Sequence, residues 1–281
     1  MKIGIVGLGL IGGSMGRAII KKTEHVVFGY DTDDNVIESA FDLNAIHARL
    51  DDDNIKDIDL LIVALYPKAI EKNLEFYCEK LKAGCTVIDC CGNKRSVTAV
   101  MSAISIKHPH LNYVGAHPMA GREFSGIKHS TAGLFEHASM ILVPVRATDD
   151  SIDLLRELSY KLGFAQVVVT TAEKHDMIIA FSSQLAHIVS SAYVKSPFAS
   201  KHNGFSAGSF RDMTRVAKLN PEMWTQLMSE NADNLVSELN VLIDNLNAYR
   251  NALSSGDNDS LYRLLEEGDS IKKEIEKRSK V

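Results

Sequence analysis

The apolar positions of this chain follow two rhythms. Before residue 170, short runs of β-type residues recur: Lys2–Val6 (KIGIV), 25–30 (HVVFGY), 60–65 (LLIVAL) and 86–90 (TVIDC). Short, nearly continuous apolar runs are what strands covered on both faces require. The segments between them have helical spacing. Over 69–81, for example, Ile70, Leu74, Tyr77, Cys78 and Leu81 share one face. Strands alternating with helices predict βαβ units and a parallel sheet. Further strands are expected over 112–114, 140–145 and Gln166–Val169, with a helix over 151–162 between the last two.

After about residue 171 no convincing strand run remains. Helices are expected over 173–195, 209–218, 221–254 and 260–280. In the third, Trp224, Leu227, Met228, Leu235, Leu239, Leu242 and Leu246 recur at helical spacing. So few long helices cannot cover their own apolar stripes, so a second copy of the chain is expected to do so. The reading is an α/β chain: a doubly wound N-terminal sheet domain over 1–171, then an all-α dimerisation domain over 172–281.

Composition narrows the function classes. Apolar residues make up 45%, charged residues 24%, and the net charge is −5. That is a globular profile without the basic excess of a duplex nucleic-acid binder, so no nucleic acid is expected as partner. No run of 18 apolar residues occurs and no charged-then-apolar leader opens the chain, so the expectation is a cytoplasmic protein with no membrane partner. The four cysteines, Cys78, Cys85, Cys90 and Cys91, lack metal-ligand spacing. They read as buried thiols, with neither a metal site nor a disulfide framework.

The first motif with chemistry is GLGLIGGS, beginning at Gly7. It follows a predicted strand and opens a predicted helix, the context that a Rossmann-type dinucleotide fingerprint needs. Gly7 suits the tight turn, Gly9 lets backbone approach a pyrophosphate, and Gly12 lets helix and strand pack closely. The N–H groups around Leu10 and Ile11, in the first helical turn, would face the phosphates. Asp31 ends the second strand, placed to accept the ribose hydroxyls. Thr32, Asp33 and Asp34 follow it, with no cation for a 2′-phosphate. NAD is therefore the expected cofactor.

The second is GAHPMAGRE, Gly115 to Glu123. His117 follows a strand, and Pro118 restricts it to extended backbone. Gly115, Ala116, Ala120 and Gly121 would leave room for a flat ring. A positioned histidine can accept the proton of a hydroxyl whose carbon gives up hydride. A loop histidine satisfied by backbone is the alternative, and the stretch alone does not choose. Downstream, His175 and His187 lie on one expected helix, with Gln184 a turn before His187. GSFRDMTRVAKLNPEMW then brings Arg211, Arg215 and Trp224. Arg215 suits a two-pronged grip on a carboxylate, and a surface pairing with Asp212 is its plain alternative.

Together these motifs, in this order and spacing, resemble the prephenate dehydrogenase family of tyrosine biosynthesis over nearly the whole chain. The resemblance implies NAD-dependent oxidation of prephenate with loss of carbon dioxide, giving 4-hydroxyphenylpyruvate. It implies that His117 is the catalytic histidine on the ring hydroxyl and Arg215 the carboxylate arginine. It implies that His187 shapes the site, Glu123 gates it, and His175, Arg211 and Trp224 line the pocket. Two departures stand out. The family pattern D-x-G-S-x-K reads here Asp89-Cys-Cys-Gly92-Asn93-Lys94, with Gly92 in the serine's place, so Asn93 or a water is expected to supply the lost hydrogen bond. Gln184 stands where many relatives carry histidine, which leaves arogenate open as substrate. The competing readings are a β-hydroxyacid-type dehydrogenase, which would need a helical-domain lysine such as Lys174, Lys195 or Lys218, and a non-catalytic NAD-binding module.

Overall fold

Alternate residues of each inner strand enter opposite cores, the signature of a sheet buried on both faces. In β1 (Lys2–Val6), Ile3 and Ile5 enter one apolar cluster and Val6 the other. In β4 (Leu60–Val63), Leu60 and Ile62 face the first, Leu61 and Val63 the second. The first cluster is closed by α1 (Leu10–Lys22), α2 (Asp34–Asp42) and α5 (Asp149–Leu162) through Met15, Ile19, Ile37, Leu155 and Leu158. The second is closed by α3 (Pro67–Cys78) and α4 (Arg95–Lys107) through Ile70, Leu74, Val97 and Met101.

The computed structural model describes residues 1–122 and 124–278. The remaining strands are β2 (Val26–Tyr30), β3 (Ala48–Arg49), β5 (Thr86–Asp89), β6 (Asn112–Pro118), β7 (Ser139–Arg146) and β8 (Gln166–Val169). The eight pair in the order β3-β2-β1-β4-β5-β6-β7-β8. The expected all-parallel sheet is corrected at one seam: β6 and β7 run antiparallel. The two-residue β3 was not anticipated.

That seam also explains why β6 is longer than the 112–114 expected. Its pairing with β5 ends at Val114. The next four residues pair, as a strand, with β7, His117 opposite Ile141 and Pro118 opposite Met140. Gly-Ala-His-Pro has little intrinsic strand preference, so the extension is imposed by the neighbour. His117 thus stands inside a strand, beyond the end of β5, rather than in a loop.

The expected helix over 173–195 is interrupted. It comprises α6 (Ala172–Ile179), a π segment (Ala180–Leu185) and α7 (Ala186–Tyr193). The wider π turn rotates α7 relative to α6 and turns Gln184 inward. α8 (Gly208–Thr214) and α9 (Pro221–Glu230) follow, α9 opened by an Asn220 cap on the Met223 N–H. The expected helix over 221–254 is split at Asn231. The chain forms two compact units, 1–231 and 232–281. In the second, α10 (Ala232–Ser255) and α11 (Asn258–Arg278) pair as a helical hairpin, turned at Gly256 with φ 69° and tied by the Tyr249 hydroxyl donating to the Leu264 carbonyl at 3.0 Å. Among the described residues no helix is long and apolar enough to cross a membrane.

Candidate active site

The glycine segment folds as its spacing requires. Gly7 takes φ +88°, a backbone region closed to most residues. A Cβ on Gly12 would sit 1.9 Å from the Gly7 carbonyl oxygen, so α1 approaches β1 as closely as backbone allows. A Cβ on Gly9 would meet nothing within 4 Å; the space beside that backbone is open. The first turn of α1, with Leu10 and Ile11, has no side-chain cap. Asp31, at the end of β2, accepts the Leu8 N–H at 2.8 Å and the Asp33 N–H at 3.2 Å. Its carboxylate therefore stands beside the glycine turn.

β1, β4, β5 and β6 are mutually parallel. The glycine turn and His117 therefore lie at the same, carboxyl edge of the sheet, three strand spacings apart, about 14 Å. His117 alternates onto the face opposite Ala116, toward α4 and α6. Its Nδ1 lies 2.9 Å from Nε2 of His175, and Nδ1 of His175 lies 2.7 Å from Oδ1 of Asp176. Asp176 is buried and serves a second purpose. Its Oδ1 accepts the Lys94 N–H at 2.7 Å, its Oδ2 the Arg95 N–H at 2.9 Å. A carboxylate from α6 thus caps α4, where it also meets the helix dipole favourably. Burial opposes the charge of Asp176, but the His175 ring and these two backbone N–H groups outweigh it and hold the carboxyl below its ordinary range. Burial, the adjacent His175 and the Lys94 ammonium hold His117 well below the ordinary imidazole value. Its lone pair is therefore free at neutral pH.

A fully buried ion pair lies directly behind. Lys94 Nζ donates to Asp89 Oδ2 and, at 2.7 Å, to the Ala116 carbonyl. Asp89 in turn accepts the Ala116 N–H at 3.0 Å and the Cys91 N–H at 2.7 Å. Both backbone groups of the residue before His117 are thus fixed. This also revises the reading of Gly115. A Cβ there would fall 2.9 Å from Thr98 and 3.2 Å from the Lys94 chain, so its missing side chain admits protein, whereas a Cβ on Gly121 would meet nothing within 4 Å.

The other expected residues fall into two groups. Asn93 and Gln184 are buried and engaged with each other. Gln184 Nε2 donates to Asn93 Oδ1 at 3.0 Å, and Asn93 Nδ2 to the Leu227 carbonyl at 2.7 Å. Asn231 Nδ2 donates to Gln184 Oε1 and to the Asp176 carbonyl, both at 2.8 Å, and Arg95 reaches Asn231 Oδ1 at 3.0 Å. The Asn93 amide thus bonds Gln184 through its oxygen and Leu227 through its nitrogen, and His175 has both ring nitrogens committed within the protein. A Cβ on Gly92 would lie 3.4 Å from Leu227, an ordinary contact, so a serine would fit there. The second group is more open. The His187 ring lies 4.0 Å from that of Trp224, centroid to centroid, and its Nδ1 donates to the Ser183 carbonyl at 2.8 Å. Arg211 and Arg215 lie on and just after α8, both exposed. It is Arg211 that approaches Asp212, at 3.9 Å. Glu123 lies outside the described residues.

Asp176, Lys94, Asp89, Arg95 and Asn231 were not expected to matter. Asp176 carried a signal, its place directly after His175, and Asp89 and Lys94 bracket the departed serine pattern. Asn231 carried none, because the helical periodicity runs straight through it.

A family model described as "Prephenate dehydrogenase, nucleotide-binding domain" matches residues 15–169, and one described as "Prephenate dehydrogenase, dimerization domain" matches 171–267. A cyclohexadienyl dehydrogenase of Zymomonas mobilis is 31% identical over 94% of this chain and 92% of its own. A prephenate dehydrogenase of Bacillus subtilis is 30% identical over 92% of this chain and 72% of its own. The crystal structure of prephenate dehydrogenase from A. aeolicus, in complex with hydroxyphenyl propionate and NAD+, superposes with a TM-score of 0.82 at 25% identity, covering 98% of both chains. The chain belongs to the prephenate dehydrogenase family.

Proposed function

We propose that this protein is a cytoplasmic, homodimeric enzyme that oxidises prephenate with NAD and releases carbon dioxide, yielding 4-hydroxyphenylpyruvate. The carrying observation is that His117, neutral and anchored at its Nδ1, stands on the same sheet edge as the glycine cradle. The cradle suits a dinucleotide: backbone is exposed beside Gly9, α1 opens uncapped, and an acid ends β2. Asp31, followed by Asp33 and Asp34, favours bare ribose hydroxyls over a 2′-phosphate. When bound, NAD accepts the hydride.

The chain's residues do the rest. His117 Nε2 takes the proton of the ring hydroxyl as that oxygen becomes a carbonyl. Arg215 grips a substrate carboxylate, with Arg211, His187, Trp224 and Glu123 shaping the approach. Asn93 and Gln184 support from behind, through the amide bridge to Leu227 and Asn231. We assign 1–171 to cofactor binding and 172–281 to dimerisation and substrate. The helical-domain lysines Lys174, Lys195 and Lys218 are all exposed, which disfavours a β-hydroxyacid-type mechanism.

The test is NADH formation by purified protein offered prephenate and arogenate in parallel. Turnover of prephenate is expected. Turnover of arogenate alone would keep the mechanism and move the specificity, and turnover of neither would favour a binding module. Gly12→Ala is a separate check on the cradle. The new methyl would collide with backbone, so NAD affinity should fall at least about tenfold, read by fluorescence titration. Unchanged affinity would remove the cradle from the proposal.

A further inference from the structure

We infer that Asp176 and His175 act together as positioning residues. They dictate which nitrogen of His117 carries hydrogen, and they hold the proton that His117 takes up. The inference deepens the proposed reaction and rests on it for the substrate hydroxyl alone.

Asp176 receives the backbone N–H groups of Lys94 and Arg95 and lies beside the Arg95 guanidinium, so it is an ionised acceptor with no hydrogen to give. Nδ1 of His175 must therefore be the donor. In a neutral ring Nε2 is then a bare acceptor, and the 2.9 Å contact to His117 closes only if His117 Nδ1 carries hydrogen. That leaves His117 Nε2 bare, the tautomer a base on the far side needs. The opposite arrangement requires His175 to be an imidazolium at rest. The charges around the pair are Asp176 and Arg95 beside His175, and Lys94 with its partner Asp89 beneath His117. Asp176 is placed to receive the cation when the reaction makes it.

The proton balance is closed. The hydroxyl proton moves to His117 Nε2 while the hydrogen on His117 Nδ1 moves to His175 Nε2. One O–H and one N–H bond break and two N–H bonds form. The oxygen's electron pair becomes the second C–O bond as hydride leaves for the nicotinamide cofactor. The imidazolium now rests on His175 against Asp176. When carbon dioxide departs, its bonding pair restores the aromatic ring and the oxygen becomes a phenolate. The stored proton then returns along the same path, and none is released.

The deciding measurement is ¹⁵N NMR of the histidine-labelled wild-type enzyme above neutral pH, with His117→Asn and His175→Gln spectra for assignment. Both rings should show hydrogen on Nδ1 and a bare Nε2. Hydrogen on Nε2 of His117 would overturn the inference, and this reading needs no substrate, so it stands apart from any failure to turn over prephenate. The kinetic arm is Asp176→Asn. With its NH2 at the Oδ1 position, where the Lys94 N–H bond is given up, the amide presents N–H to His175 and reverses both tautomers. We expect kcat to fall about 100-fold or more, with NAD affinity changed less than about threefold and the acid limb of kcat moved to lower pH, because a negative charge that favours the protonated pair is gone. A fall in kcat without movement of the limb would mean a merely structural role. His175→Gln keeps an acceptor for His117 but cannot carry a proton, so it should lose less than Asp176→Asn; an equal loss would rule out tautomer control as the larger effect.

Discussion

Replacing His117 with asparagine is expected to lower kcat about 10³-fold and leave NAD binding intact. The asparagine amide reaches the position of the imidazole Nδ1, so a hydrogen bond toward His175 survives and β6 keeps its pairing with β7. What disappears is Nε2, the only part of the ring left to meet a hydroxyl. The pH profile sharpens the prediction. A histidine held low by burial, by His175 and by Lys94 gains its proton only well below the ordinary imidazole range. The wild-type enzyme should therefore keep its activity as pH falls through neutrality, losing it only at more acid values. In His117→Asn that acid limb should vanish from the residual rate. Steady-state kinetics across pH decide the matter: a variant with more than about a tenth of wild-type kcat, or one with the same limb, would deny His117 the role of base.

The sequence was informative where geometry is local. The Gly7 turn, the close approach at Gly12 and the acid at Asp31 belong to one βαβ unit, and each constraint lies within some 25 residues. The sheet order follows from the same alternation. Legibility fails where a residue's work is set by a distant segment. His117 looked like a loop residue because its neighbours have poor strand preference, and it is pairing with β7, with Asp89 and Lys94 on the Ala116 backbone, that holds them extended. Asp176 was visible beside His175, yet its meaning depends on two N–H groups more than eighty positions away, at the start of α4. Asn231 interrupts an otherwise continuous helical pattern because its amide is needed by Gln184 and by the Asp176 carbonyl. Asn93 was expected near the reacting hydroxyl because of its place after Gly92. Its amide bonds Leu227 and Gln184, contacts that the sequence could not show.

Lys94 should prove the most costly residue to remove for stability. Lys94→Met retains most of the aliphatic stem that runs over Gly115 but leaves the Asp89 carboxylate buried without its cation. Breaking a buried pair from one side typically costs about 3–5 kcal/mol; at about 2–4 °C per kcal/mol for a chain of this size, the thermal midpoint should drop by roughly 6–20 °C. The Asp89→Asn/Lys94→Met double variant removes the stranded charge, and its amide oxygen can still accept one of the two N–H groups, of Ala116 or Cys91, so it should melt above Lys94→Met. Circular dichroism melts of wild type, both single variants and the double variant measure this directly. A Lys94→Met midpoint within a degree or two of wild type would show that water or rearrangement compensates Asp89. The same pair couples stability to chemistry. Its bonds to both backbone groups of Ala116 set where β6 delivers His117. The double variant, though partly restored in stability, should therefore still turn over more slowly than wild type, because the Lys94 contact to the Ala116 carbonyl has not been replaced.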